Sequence, residues 1–148
     1  YSTKADAHQI GFGVSSISYV AGNYVQNLKE LPDYYKAIRE GRIATFRGHL
    51  LDHEDTLRRD LITQIMCKTV VDIPKFEKKW NLNFKEYFAS DLSKLKAMQD
   101  YNLVIIDDQK LKAVNEGVIL LRNVAMAFDP YLEKVQKGAK TPVFSRSV

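Results

Sequence analysis

The stretch Leu-Val-Ile-Ile-Asp-Asp-Gln-Lys-Leu-Lys-Ala-Val, residues 103–114, decides the fold class of this chain. It begins and ends with short runs of β-branched and other apolar residues, at 103–106 and 111–114. The polar residues between them, 107–110, are typical of the turn of a β-hairpin. The sequence therefore predicts two short antiparallel strands, and the segments on either side determine what these strands pack against.

Helical patterns flank this hairpin on both sides. Upstream, residues 52–70 carry apolar side chains at helical spacing after the N-cap candidate Asp52, and a short helix opens at Pro74. A third helix follows Asn83, which with Glu86 resembles a capping box. Downstream, Asn115 is predicted to cap a last helix. The order helix, short helix, helix, hairpin, helix is the winged-helix pattern. We therefore predict an α+β fold, mainly α-helical, with a winged-helix-like C-terminal domain.

The N-terminal part shows a different pattern. Residues 10–20 are rich in β-branched and aromatic side chains, which predicts a strand. With a period of two, Gly11, Gly13, Ser15 and Ile17 fall on one face of that strand. Two glycines on a face let another group approach the backbone, which is explained either by close packing or by a ligand.

A break and a helix are predicted to follow this strand. Ala-Gly-Asn at 21–23 ends the strand, and Gly41 stops the helix. Residues 42–51 are predicted to be an extended link to the next part of the chain.

Composition places the chain among globular proteins of the reducing cytosol. It has 148 residues, of which 45% are hydrophobic and 27% charged, and a net charge of +4. Cys67 is the only cysteine, which excludes an intrachain disulfide and favours a cytoplasmic location. No apolar run reaches the ~18 residues of a membrane helix, and no signal peptide opens the chain. Because the first residue is Tyr1 and not Met, we expect the chain to be cut from a longer protein.

A winged-helix pattern raises the question of nucleic-acid binding. The third helix would be the recognition helix, and its exposed side carries Lys85, Lys94 and Lys96. That helix contains no arginine, the commonest reader of guanine, and the wing turn carries Asp107 and Asp108, which repel phosphates. These features count against nucleic-acid binding, and we keep it only as an alternative function.

Metal binding and thiol chemistry find little support in the sequence. His49 and His53 are four residues apart, the spacing of two ligands on one helical face. His49 precedes the predicted start of the helix, and the third and fourth ligands that zinc requires do not accompany the pair. Cys67 lies on the apolar side of its helix, with no histidine or basic helix end to activate it. We predict no metal site and no catalytic residue in this chain.

The segment Gly-Phe-Gly-Val-Ser-Ser-Ile-Ser at 11–18 leads a series of short motifs. The others follow as Tyr-Val-Gln-Asn at 24–27, Tyr-Tyr at 34–35, Arg-Gly at 47–48, Leu-Arg-Arg-Asp at 57–60, Met-Cys at 66–67, Leu-Arg-Asn-Val-Ala-Met at 121–126, Phe-Asp at 128–129 and Phe-Ser-Arg at 144–146. Each motif alone is weak, but the ordered set resembles the oxygen-independent coproporphyrinogen III oxidases along nearly the whole chain. The shorter relatives that act as haem chaperones lack the full set.

The resemblance implies a radical S-adenosylmethionine enzyme of anaerobic haem biosynthesis. Members of that family convert two propionate side chains of coproporphyrinogen III to vinyl groups, giving protoporphyrinogen IX and carbon dioxide. Their cofactors are S-adenosylmethionine and a 4Fe-4S cluster, which a Cys-x-x-x-Cys-x-x-Cys loop holds. A chain whose only cysteine is Cys67 cannot provide that loop. We therefore expect these residues to cover the active site of a longer enzyme and to be inactive alone.

The resemblance also implies a division of the chain and a cofactor contact. Residues 1–45 would be the end of the radical-SAM barrel, its last strand and following helix, and residues 46–148 the C-terminal winged-helix-like domain. The isoleucine of the family's Gly-Val-Ser-x-Ile-Ser run contacts S-adenosylmethionine, which implies this role for Ile17, with Gly13 and Ser15 as neighbours. The glycine-containing face described above agrees with a ligand at that place.

Substrate and partner contacts follow from the same resemblance. A porphyrinogen carries four propionates and arginine forks bind carboxylates, so Arg58, Arg122 and Arg146 are candidates, although a salt bridge explains each equally well. The strand at 10–20 is expected to pair with the missing N-terminal barrel or, without it, to be displaced or paired in a non-native dimer. No membrane partner is expected. A haem-trafficking or interaction module of the same family is the other alternative function.

Overall fold

The computed structural model of the chain describes residues 7–132, which form two compact units divided between Leu57 and Arg58. Each unit contains a three-stranded antiparallel sheet, and helices accompany both sheets. The predicted α+β class is therefore confirmed. The division into domains 1–45 and 46–148 stays a prediction. Over the described span, no helix has the length and apolarity that crossing a membrane requires.

The N-terminal unit is a β-meander with a helix inserted before its last strand. A two-residue turn, Ala21-Gly22, joins the first two strands, and both residues have positive φ, as a type I′ turn requires. The break predicted at 21–23 is thus the turn of a hairpin, and the predicted helix follows only after a second strand. The strands pair in chain order, and the elements are β1 Ile17–Val20, β2 Asn23–Asn27, α1 Leu31–Arg39 and β3 Thr45–Leu50.

The strand predicted over 10–20 is wrong for residues 10–16, which form a loop. Gly13 and Ser15 have φ angles of +90° and +59°, which take the backbone out of the extended region. The face that the period-two argument assigned to the glycines and Ile17 therefore does not exist. Strand β1 is also not an unpaired strand, because β2 lies beside it along its full length. Because β1 already has a partner strand, the reason given for a non-native dimer no longer applies. The dimer itself stays an untested prediction.

The C-terminal unit matches the winged-helix order. The hairpin predicted at 103–114 is confirmed as β5 and β6, and a third strand that the sequence analysis missed, β4, pairs with β6 to give the order β4-β6-β5. Helix α2 spans the division between the units. The elements are α2 His53–Lys68, β4 Val70–Asp72, α3 Ile73–Trp80, α4 Phe84–Tyr87, α5 Ala89–Ser93, α6 Lys96–Asp100, β5 Val104–Ile106, β6 Lys110–Ala113, a 3₁₀ helix Asn115–Val118 and α7 Leu121–Met126.

Two of the predicted helix caps are confirmed, and one is wrong. The side chain of Asp52 accepts a hydrogen bond from the Asp55 N–H at 2.8 Å, and that of Asn83 accepts one from the Glu86 N–H at 3.0 Å. Asn115 does not cap the last helix. It adopts a positive φ of 50°, and its side-chain amide donates to the carbonyl of Asn102. A 3₁₀ turn therefore separates the hairpin from α7.

The third helix of the sequence prediction is broken into α4, α5 and α6. The Ser93 hydroxyl donates to the Ser90 carbonyl at 2.6 Å, a local bond that competes with the helical ladder. Backbone bonds of the tighter i→i+3 type close the turns at Lys94 and Leu95. Asp91, at 8% exposure, is the buried polar residue of this segment. Local bonds at Ser93, Lys94 and Leu95 thus interrupt a helical pattern that the sequence shows clearly.

The core of the C-terminal unit is an aromatic cluster. Phe88 lies at its centre, with its ring centroid 4.9 Å from Phe84, 5.5 Å from Phe128 and 6.2 Å from Phe76. All four rings are at most 2% exposed. The rings meet at tilted or edge-to-face angles, the arrangements that aromatic quadrupoles favour. Apolar burial around these rings holds the short helices together.

Asp60 gives this unit a pH-dependent contribution to stability. Partial burial alone would raise the pKa of Asp60, but hydrogen bonds from Lys79, Trp80 and Gln64 outweigh it and hold the pKa below its ordinary value of 3.8. A carboxyl group with a lowered folded-state pKa stabilises the fold above its unfolded-state pKa. That stabilisation is lost as the pH falls through the folded-state value.

We therefore expect Asp60→Asn to lose about 1.5 kcal/mol of unfolding free energy at neutral pH, because bonds to a charged acceptor are replaced by neutral ones. The difference from wild type should shrink as the pH falls below 3.8. Urea unfolding at a series of pH values measures it. Asp100→Asn is the control, since Asp100 pairs with Lys96 at the surface. A gap between wild type and Asp60→Asn that is constant with pH would contradict this assignment.

Candidate functional site

The loop before β1, residues 11–16, is held in place by side chains from β2 and α1. The amide of Asn27 donates to the carbonyls of Gly11 and Gly13, at 3.1 and 2.9 Å. The Gly13 N–H donates to the Tyr34 hydroxyl at 3.0 Å. A Cβ atom on Gly11 would lie 2.3 Å from Oγ of Ser16 and 2.9 Å from the carbonyl oxygen of Ile17, and the backbone atom cannot turn aside, so this position favours glycine. These contacts fix the backbone that leads directly into Ile17.

An open trough lies on one face of the β1-β2-β3 sheet. Residues directly opposite each other in antiparallel strands point to the same side. The register places Ile17, Gln26 and Arg47 in one cross-strand row and Tyr19, Tyr24 and His49 in the next. The trough has a volume of about 550 Å³ and is lined by Ile17, Tyr24, Val25, Gln26, Arg47, Gly48 and His49. This volume lies in the usual range for small-molecule sites, roughly 300–1,000 Å³.

Gln26 connects the loop to the trough. Its side-chain nitrogen donates to the Ser15 carbonyl at 3.2 Å, and its side-chain oxygen accepts from Nε of Arg47 at 2.9 Å. The amide thus has both ends engaged, which orients the arginine. The guanidinium carbon of Arg47 also lies 5.9 Å from the centre of the Phe46 ring. A cation is therefore positioned at one end of the row that Ile17 begins.

The cross-strand row that contains His49 differs in charge from the row that contains Ile17. Nε2 of His49 lies 3.0 Å from Oδ2 of Asp55, whose side chain is 9% exposed. The imidazole is thereby engaged with a carboxylate of its own unit. The trough as a whole combines an apolar end, an amide and a guanidinium, a set that suits an organic ligand with one anionic group.

The structure brings Ile17 into this trough but not its two predicted neighbours. Ile17 is 53% exposed at the start of β1 and lines the trough. Gly13 and Ser15 lie in the preceding loop and are not among the lining residues. Ser15 reaches the site only through its carbonyl, which Gln26 binds. The contact of Ile17 with S-adenosylmethionine stays a prediction.

The three candidate arginines have different surroundings. Arg58 donates to the Asp91 carboxylate at 2.8 Å and to the Phe128 carbonyl at 2.9 Å, with only 15% of its side chain exposed. Arg58 is thus bound within its own unit, which agrees with the salt-bridge explanation. Arg122 is exposed on α7. Arg146 lies outside the described residues.

The lysines considered for nucleic-acid binding are each paired with a carboxylate. Lys85 forms an ion pair with Asp108, Lys94 with Asp91 at 3.2 Å and Lys96 with Asp100 at 2.7 Å. The wing turn therefore neutralises a lysine of the predicted recognition helix. That helix is also discontinuous, so the surface does not present the row of unpaired cations that phosphate binding favours.

The remaining chemical candidates give no site within residues 7–132. No group of three or more His, Cys, Asp or Glu side chains there has the arrangement of a metal site. His49 and His53 do not share a helical face, since His49 lies in β3 and His53 begins α2. Cys67 forms no disulfide and is of intermediate burial.

Two residues of this site were missed as functional candidates. Asn27 and Arg47 were both part of the motifs that carried the family resemblance, Tyr-Val-Gln-Asn and Arg-Gly. No local pattern assigns them a role, because their partners lie 14 and 21 residues away in sequence. Recognising β2 as a strand would have placed Gln26 opposite Ile17 and revealed the row.

The comparisons with known proteins agree on one family. Residues 51–120 match the family model described as the HemN C-terminal domain. The chain is 38% identical over 148 residues to the oxygen-independent coproporphyrinogen III oxidase of Escherichia coli K12, covering 100% of this chain and 32% of the relative. It is 37% identical over 137 residues to the enzyme of that name from Helicobacter pylori strain 26695, covering 93% of this chain and 30% of the relative.

A solved structure gives the same result. The coproporphyrinogen III oxidase (HemN) from Escherichia coli, described as a radical SAM enzyme, superposes with a TM-score of 0.80 at 38% identity. The match covers 88% of this chain and 30% of that one. The chain spans about a third of the length of the curated relatives it matches. It therefore belongs to the family of oxygen-independent coproporphyrinogen III oxidases and corresponds to their C-terminal portion.

Proposed function

We propose that this chain is the C-terminal region of an enzyme that oxidatively decarboxylates coproporphyrinogen III to protoporphyrinogen IX. The observation that carries the proposal is the 38% identity to an oxidase of this name along all 148 residues. The relatives reported above are oxidases, so the haem-trafficking module and the nucleic-acid-binding domain are set aside. A cytoplasmic location is part of the proposal, since the single cysteine suits a reducing compartment.

The residues present fit one of the implied cofactors and not the other. The trough beside Ile17 has the volume and the mixed lining that S-adenosylmethionine needs. When bound, that cofactor supplies the radical that starts the reaction. Ile17 would make an apolar contact with its adenosyl group. The 4Fe-4S cluster finds no ligand set in this chain, because Cys67 is the only cysteine and a cluster loop needs three.

The N-terminal unit has the surface of a part that packs against something else. Its buried apolar residues within the described span are only Ala37, Ala44 and Leu57. All six residues of β3 are exposed, although a sheet normally buries at least one face. On α1, Leu31 and Ile38 are 53% and 50% exposed. We propose that the N-terminal portion of the enzyme, which contains the barrel, covers these surfaces and that this chain is inactive without it.

Fewer arginines remain as candidate substrate contacts than the sequence indicated. Arg58 is withdrawn as a propionate contact because its guanidinium is bound to Asp91 and Phe128. Arg122, exposed on α7, and Arg146 remain candidates for the propionates of the porphyrinogen.

The test is an anaerobic assay of the full-length enzyme that carries this chain, with its reduced cluster, S-adenosylmethionine and coproporphyrinogen III. We expect release of carbon dioxide and formation of protoporphyrinogen IX by wild type, and none from the isolated chain. Ile17→Asp should lower the rate at least ~10-fold, because a charge replaces an apolar contact with the cofactor. Ile105→Asp is the matched control, as Ile105 is a strand isoleucine with 43% exposure that does not line the trough.

Two outcomes would contradict the proposal. A full-length protein that carries its cluster and binds the porphyrinogen but releases no carbon dioxide would exclude the activity. An equal loss of rate in Ile17→Asp and Ile105→Asp would show that Ile17 has no particular place in the reaction.

A further inference from the structure

We propose that Arg47 is a carboxylate-binding residue of the trough, and that it takes an organic anion whose apolar part lies against Ile17. The inference rests on the proposed function, since it assigns a ligand contact to the site where Ile17 is placed. Both residues line the same trough and stand in the same cross-strand row, with Gln26 between them.

The guanidinium of Arg47 is held in a fixed orientation. Gln26 accepts from Nε of Arg47 at 2.9 Å while its own nitrogen donates to the Ser15 carbonyl at 3.2 Å. Because both ends of the Gln26 amide are bonded, the amide cannot flip without losing two bonds. An arginine held through Nε presents its terminal nitrogens as a fixed fork, so less rotamer entropy is lost when a ligand binds.

The terminal nitrogens of Arg47 are available to a ligand. Within residues 7–132, the terminal Nη1 and Nη2 atoms of Arg47 have no hydrogen-bond acceptor, and no carboxylate forms an ion pair with this side chain. Two other arginines already form ion pairs with carboxylates of the chain, Arg58 with Asp91 and Arg42 with Glu40. Two parallel N–H donors match the two oxygens of a carboxylate, and such charge-assisted pairs are about twice as strong as neutral hydrogen bonds.

The charge and length of the trough limit the ligand that it suits. Ile17 and Arg47 lie on strands β1 and β3, separated by β2, so their backbones are about 10 Å apart. The Asp55 carboxylate at His49, in the next row, disfavours a second negative group there. The lining therefore suits one carboxylate joined to an apolar or aromatic body within that distance. Both the amino-acid carboxylate of S-adenosylmethionine and a propionate of a porphyrinogen have this chemistry.

The test compares Arg47→Gln with Arg42→Gln in the full-length enzyme. Arg42 is an exposed arginine of the same unit that does not line the trough. Dissociation constants are measured by calorimetry for S-adenosylhomocysteine, for methylthioadenosine, which lacks the amino-acid carboxylate, and for coproporphyrin III. Arg47→Lys keeps the charge without the fork, and circular dichroism checks that each variant is folded.

We expect Arg47→Gln to weaken one of the two carboxylate ligands at least ~10-fold, with methylthioadenosine changed less than ~2-fold and Arg42→Gln like wild type. Weaker binding of S-adenosylhomocysteine assigns the Arg47 fork to the cofactor, and weaker binding of coproporphyrin III assigns it to the substrate. Arg47→Lys should lose a smaller part of the same affinity. If Arg47→Gln binds both ligands as tightly as wild type does, the inference is overturned and the proposed function is not. Failure of wild type to bind either ligand would overturn it together with the proposed function.

Discussion

Phe88→Ala is expected to lower the free energy of unfolding of the C-terminal unit by about 4 kcal/mol, the usual cost of emptying a fully buried aromatic position. Phe88 is 0% exposed, and its ring lies within 6.2 Å of three other buried phenylalanine rings. Its removal would leave a cavity shared by α3, α4 and the segment after α7. These short elements have little independent stability, since isolated helices of this length do not persist in water.

The measurement is urea or guanidinium unfolding followed by the fluorescence of Trp80, the single tryptophan of the chain. Tyr101→Ala is the control, because Tyr101 is 79% exposed and its truncation should cost less than ~0.5 kcal/mol. A loss of less than ~1 kcal/mol for Phe88→Ala would show that this cluster is not the core of the unit.

Arg58→Met is expected to destabilise the same unit by about 3 kcal/mol, because it leaves the Asp91 carboxylate partly buried with one of its cations removed. Arg58 also donates to the Phe128 carbonyl, and its guanidinium carbon lies 5.3 Å from the centre of the Phe88 ring. Lys94, which pairs with Asp91 at 3.2 Å, remains in the variant, so we expect a loss at the lower end of the range for buried pairs.

A double-mutant cycle with Asp91→Leu separates the ion pair from simple loss of packing. The double variant should be more stable than the sum of the two single losses predicts, because no unpaired charge is left behind. Arg122→Met serves as control, since Arg122 is exposed. Strict additivity in the cycle, or a loss for Arg58→Met as small as that of Arg122→Met, would mean that Arg58 is not a structural residue and would return it to the candidate substrate contacts.

Local signals in the sequence were sufficient where the structure is also local. The hairpin at 103–114 follows from two apolar runs and a polar turn, and it is formed as predicted. Asp52 and Asn83 cap their helices through bonds that span only three residues. Such bonds depend on chain neighbours alone, so composition and spacing are enough to find them.

The errors arose where distant residues decide the local conformation. Residues 10–16 have strand-like composition, yet Asn27 and Tyr34 bind the backbone of this segment and hold it as a loop. These bonds leave no mark in the segment that they reshape, and tertiary contacts of this kind commonly override propensity. The third helix is interrupted instead by local bonds at Ser93, Lys94 and Leu95, which its helical periodicity does not reveal.

The candidate site was predictable only in part for the same reason. Ile17 was predicted through a family motif and lies in the trough, while its contact with a ligand stays a prediction. The glycine-containing face predicted beside Ile17 is wrong, because Gly13 and Ser15 turn the chain. Arg47 could be placed next to Ile17 only once three strands were in register.

The central claim is that the chain contributes Ile17 to the S-adenosylmethionine site of a radical oxidase. The most direct measurement is the dissociation constant of S-adenosylmethionine for the full-length enzyme carrying Ile17→Asp, with Ile105→Asp beside it. We predict that Ile17→Asp raises this constant at least ~10-fold, from the lost burial of an isoleucine side chain and the added charge, while Ile105→Asp leaves it unchanged. A dissociation constant for Ile17→Asp equal to that of wild type would contradict the claim.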